Sequence, residues 1–142
     1  MMVGCGAGDG STLDERGRSA EHPYAPGLAT RLGASVFEAT YEEIAFSFLE
    51  PYCVDCHSGG APSTGLDLTF ERAFDEMVGV SSLQQPGVLL VAAGDPDNSY
   101  LIIKLEGGSR MIGRRMPRGR PARPQGEIDI VRAWIEAGAE HD

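Results

Sequence analysis

Cys53-Val54-Asp55-Cys56-His57 sets two thiols three positions apart with an imidazole directly after them. Thiols at that spacing can add to the two vinyl groups on one edge of a porphyrin, giving two thioether bonds. The next residue is then carried beneath the ring, where an imidazole nitrogen can ligate iron. This is the attachment signature of a c-type haem, so Cys53, Cys56 and His57 are candidate haem c residues. Zinc knuckles and thioredoxin-like sites share the two-cysteine half of the pattern. Zinc would want four ligands, however, and no second Cys/His pair has suitable spacing.

A six-coordinate iron needs a second ligand besides His57. The candidates are Met111, Met116, Met77, His22 and His141. His22 falls in a Gly/Pro-rich stretch and His141 at the chain end, both poor places from which to hold a metal. Met77 belongs to an apolar helix face, where a methionine fills core space. Met111 and Met116 share one basic loop, and Met116 precedes Pro117, which restricts it to extended geometry. Met116 is therefore the preferred ligand and Met111 the alternative. An open sixth position would instead fit a haem sensor or a peroxide-handling protein, which spin state distinguishes.

A chain of 142 residues fits one domain with a modest core. Nineteen glycines and nine prolines indicate many turns. A net charge of −9 disfavours nucleic acid as a partner, because phosphate binding needs a basic face. Cations are concentrated nonetheless: Lys104, Arg110, Arg114, Arg115, Arg118, Arg120 and Arg123 lie within 104–123, with Glu106 the only acid among them. They form either a solvated loop or a cationic rim that balances haem propionates or docks an acidic redox protein.

The elements that must position these residues can be read in order. Residues 6–34 are Gly/Ser/Thr/Pro-rich without sustained periodicity and read as a flexible linker, of roughly 30 Å average reach. Met2-Val3-Gly4-Cys5 resembles the end of a bacterial lipoprotein signal. That implies a lipid anchor at Cys5, a chain truncated upstream, and export to the periplasm or outer membrane. No stretch reaches the roughly 18 apolar residues of a membrane span. Thus 1–34 is expected to be signal remnant and linker, and 35–142 one folded domain. Within it, Thr40 and Glu43 form a capping box before a helix carrying Ile44, Ala45, Phe48, Leu49 and Tyr52, which Pro51 ends or kinks beside the pentad. Gly59 to Pro62 is a turn, 66–68 is extended, and 70–78 is a helix. The run 88–92 is apolar and of undecided type. Asp97 or Asn98 is expected to cap a helix over 100–105, and 107–126 is a loop. A last helix over 125–137 carries Ile128, Val131, Trp134 and Ile135, with Gly138 as its stop.

The pentad, Gly65-Leu66-Asp67-Leu68, Gly94-Asp95-Pro96-Asp97-Asn98-Ser99-Tyr100-Leu101, Arg115-Met116-Pro117 and Trp134-Ile135-Glu136-Ala137-Gly138-Ala139 occur in that order. Together they resemble the planctomycete-type cytochrome c domain, a member of the class I cytochrome c superfamily, over roughly 41–140. The resemblance implies an all-α, cytochrome c-like helical fold around one covalent haem. It implies His57 as proximal and Met116 as distal ligand, and Trp134 packing the last helix against the first. Arg118 departs from the pattern, which commonly has a second proline there. The expected function is a monohaem electron carrier, not an enzyme, cycling one electron at iron. Its partners would be redox proteins docking near the 110–123 loop.

Overall fold

Thr40 starts the first helix as the sequence predicts: its side chain accepts from the Glu43 amide at 3.2 Å. The computed structural model describes residues 39–60 and 62–141, so the linker, Cys5, His22 and the boundary at 34/35 lie outside the described residues. Helix α1 (Tyr41–Ile44) runs into a π-helical turn (Ala45–Leu49) and then α2 (Glu50–Tyr52). Tyr41, Ile44, Ala45, Phe48 and Leu49 are buried at the i, i+3, i+4, i+7, i+8 spacing of one helical face. Pro51 lacks an N–H, and its ring crowds the carbonyl four residues back. The widened turn sits just before it, with the Glu50 amide reaching back to the Ala45 carbonyl. The helix stops at Tyr52, so the pentad emerges from its C-terminal end.

Helix α3 (Phe70–Met77) buries Ala73 and Met77. The undecided 88–92 run is extended, bridging Val78 to Val91 in parallel and Ser81 to Leu89 in antiparallel sense. These are isolated bridges, and the described residues contain helices but no strand. The run also begins the next helix. Helix α4 (Tyr100–Glu106) has no side-chain cap, and its Tyr100 and Leu101 amides donate to the Leu89 and Leu90 carbonyls at 2.8 and 2.9 Å. Asp97 and Asn98 therefore do not cap α4 as expected. They belong to a 3₁₀ turn (Pro96–Asn98) whose cap is Asp95, and Ser99 stands between that turn and α4. The reason is local: Pro96 pre-sets a turn one residue after Asp95, so that carboxylate takes the Asn98 amide first.

Helix α5 (Gln125–Glu136) buries Ile128, Val131, Trp134 and Ile135, and the chain turns away at Gly138 with φ +117°. Trp134 lies 6.1 Å from the Tyr41 ring, centroid to centroid, which joins the last helix to the first. Tyr41 also joins α3. Its hydroxyl donates to the Phe70 carbonyl at 2.6 Å and accepts from the Phe74 amide at 3.1 Å, while its ring meets Phe70 and Phe74. Burial raises the Tyr41 pKa above its ordinary value. Tyr41→Phe keeps the ring but removes the hydroxyl that bonds to both the Phe70 carbonyl and the Phe74 amide. We expect it to lower unfolding free energy by about 1–2 kcal/mol in urea titrations, with little change in helix content.

Candidate functional site

The pentad continues from α2 as a tight turn. The His57 amide donates to the Cys53 carbonyl at 3.0 Å, and the Cys56 amide to the same oxygen at 3.2 Å. The stretch after it then folds back. Ser63 N donates to Cys56 O at 2.9 Å, and Leu68 N to His57 O at 2.7 Å. His57 is buried, with Nδ1 3.2 Å from the Leu66 carbonyl. A carbonyl can only accept, so this bond puts the proton on Nδ1 and leaves a lone pair on Nε2. Gly65-Leu66-Asp67-Leu68 thus has a physical task, orienting the histidine. Asp67 in turn accepts from the Thr69 amide and hydroxyl, which hold its pKa below the ordinary value, and Glu76 accepts from the Asp67 amide at 2.6 Å.

A cavity of about 780 Å³ opens beside the pentad. Cys53, Cys56, His57 and Met116 all line it, so the structure brings together every preferred site residue. Of the weaker candidates, Met77 also reaches the wall but is a buried core residue of α3. Met111 is not on the wall, and His141 instead sits 4.8 Å from both the Tyr41 and the Phe74 rings. Leu66, Leu68, Leu90, Leu101 and Leu105 make much of the wall apolar. Tyr100 and Lys104 of α4 add polar groups to the wall.

The basic loop is not one uniform patch. Arg120 donates to Asp55 at 2.5 Å and to the Pro51 carbonyl at 3.2 Å, tying the loop to the pentad turn. Arg123 stacks 3.6 Å over the Tyr52 ring and pairs with Glu127. Arg110 is taken up by the Asp97 carbonyl and the Asn98 side chain. Lys104 is buried, its ammonium 2.9 Å from the Ile112 carbonyl, and burial pushes its pKa down. Arg114, Arg115 and Arg118 are exposed and make no ion pair among the described residues; Arg114 and Arg118 line the cavity.

The cysteines differ from each other. Cys56 is exposed, whereas burial pushes the Cys53 thiol up to about 12, against weaker opposing pulls from Arg120 and Arg123. Among the described residues no three His, Cys, Asp or Glu side chains gather closely enough to hold a bare metal ion. The donor set in the cavity, two thiols, an imidazole and a thioether on largely apolar walls, fits a flat iron-bearing macrocycle better. No protein-family model, curated protein or solved structure matches the chain.

The unequal thiols give a direct expectation. In the reduced polypeptide, iodoacetamide at about pH 8.5, near a free thiol's pKa, should label Cys56 and spare Cys53 until the protein unfolds. Because the folded Cys53 keeps its proton to higher pH than the unfolded thiol, its contribution to stability is complete below about pH 9. It is then lost as pH rises towards 12. Urea midpoints measured across that window should fall, and Cys53→Ala should flatten the fall.

Proposed function

We propose that the chain is a monohaem c-type cytochrome that carries single electrons between proteins. The observation that carries this reading is the convergence on one apolar cavity of Cys53, Cys56, His57 and Met116. Each thiol would add across one vinyl group, sulfur to one carbon and hydrogen to the other. His57 would be the proximal ligand through Nε2, since Nδ1 is committed to the Leu66 carbonyl. Met116 would be the distal ligand. When bound, the haem supplies a one-electron Fe(III)/Fe(II) couple. A soft thioether together with an imidazole would favour the reduced state, and the apolar walls would keep water from the iron. Arg114 and Arg118 would face the haem carboxylates or the approaching partner.

The competing readings have less support. A thiol-redox centre needs a cysteine with a lowered pKa, and Cys53 has a raised one. A zinc site needs four ligands, which the described side chains do not gather. A sensor or peroxidase needs an open distal position, whereas Met116 stands on the cavity wall. No bond of a substrate is broken in the proposed role, so it is a carrier and not an enzyme.

Attachment of haem to such a pentad takes place in an exported compartment, so we place the protein in the periplasm or at a membrane surface. No helix among the described residues is long and apolar enough to cross a membrane. The proposed lipid anchor at Cys5 lies outside the described residues. Partners would be acidic redox proteins that dock at the cavity mouth beside the 110–123 loop.

Ligation by Met116 can be tested directly. The ferric protein should show the weak charge-transfer band that thioether-ligated haem gives at the red end of the visible spectrum. Met116→Ala should remove the band, and Met111→Ala should leave it. Met116→His should lower the potential by on the order of 0.1 V, within the roughly 0.8 V over which axial ligands act. Loss of the band in Met111→Ala alone would transfer the role to Met111.

A further inference from the structure

We propose that Lys104 is the positioning residue for the Met116 loop, fixing both ends of 112–116 against α4. The proposal rests on the reading of Met116 as an iron ligand. The two ends of this five-residue segment are held by one residue. At its start, Lys104 Nζ donates to the Ile112 carbonyl at 2.9 Å. At its end, the Met116 amide donates to the Lys104 carbonyl at 2.8 Å. Tyr100, one turn earlier on α4, completes the grip: its hydroxyl accepts from the Ile112 amide at 3.2 Å. Ile112 therefore has both backbone groups bonded to side chains of α4, and Met116 has its amide bonded to the same helix.

The choice of lysine is informative. Lys104 is only 7% exposed on α4, at a position where an aliphatic residue would pack without a buried charge. What the ammonium adds there is a charged donor to a loop carbonyl, stronger than a neutral bond. Gly113, directly after Ile112, has φ +75°, and a Cβ there would lie 3.9 Å from Lys104 Nζ. The bend over the ammonium is thus made by a residue suited to that backbone. A methionine on a long Gly/Pro/Arg loop has no helix of its own to aim it, and these bonds supply one. Lys104 does not itself ligate iron in this account; it acts through the loop.

The test is displacement of Met116 by added imidazole in the ferric, haem-loaded protein. Apparent imidazole affinity scales with the fraction of time that the loop is released. Removing a hydrogen bond from a charged donor should raise that fraction about tenfold. Lys104→Met is expected to bind imidazole about tenfold more tightly while keeping covalent haem, helix content and thermal midpoint near those of the parent. Lys104→Arg, which retains a charged donor, should recover most of the difference, a rescue that a purely space-filling role would not give. Unchanged imidazole affinity in a folded Lys104→Met protein would overturn the proposal while leaving Met116 ligation intact. Should Lys104→Met not fold, Lys104→Gln serves in its place; failure of both would make Lys104 a residue of the fold and also overturn the proposal. Absence of the thioether band from the parent protein would instead remove Met116 ligation, and this proposal with it.

Discussion

Two hydrogen bonds between His57 and the short stretch 66–68 decide where the imidazole can be. The Leu66 carbonyl accepts from Nδ1–H, and the Leu68 amide donates to the His57 carbonyl. With Nδ1 committed to that carbonyl, Nε2 is the ring nitrogen left to bind a metal. The rest of the site is arranged around that fixed ring. α2 delivers the pentad and Asp67 and Glu76 brace the orienting stretch. The cavity wall then brings a thioether, Met116, from a loop nearly sixty residues later in the chain.

That loop is long, rich in glycine and proline, and has no secondary structure of its own between α4 and α5. Its order comes from side chains reaching in from ordered elements. Lys104 and Tyr100 hold its first part, and Arg120 and Arg123 hold its later part to the end of α2. The exposed Arg120–Asp55 pair is worth no more than about 1 kcal/mol by itself. Its value is in register, because it links the loop to a residue between the two cysteines. The cations near the site therefore fall into two groups. Some are structural ties, and Arg114, Arg115 and Arg118 stay exposed with no ion pair among the described residues.

Much of this was legible in the residue pattern. The i, i+3, i+4, i+7 spacing from Tyr41 to Leu49 and the same spacing in α5 mark helices whose faces the core requires. Thr40 and Gly138 mark their ends because cap geometry favours few residue types. Other features were not legible, for physical reasons. The start of α4 is satisfied by carbonyls of 89 and 90, a tertiary contact with no local signature, so the polar residues just before the helix imitate caps without being them. The run 88–92 has too few residues to separate strand from buried helix by period. The burial of Lys104 runs against its residue type, since lysine is seldom buried without a partner; its partner is a backbone carbonyl, which every residue carries. The cysteine and histidine positions of the site are written in one pentad, but which methionine shares their cavity depends on how a loop folds.

The account stands on covalent attachment of one haem through Cys53 and Cys56. The most direct measurement is the intact mass of the protein expressed in an exporting host competent for haem attachment, before and after acid–acetone extraction. We expect one species, heavier than the polypeptide by a single haem, unchanged by extraction and reduced to the bare polypeptide mass in the Cys53→Ala/Cys56→Ala double variant. A polypeptide at its bare mass, with both thiols open to alkylation on unfolding, would contradict the account at its centre.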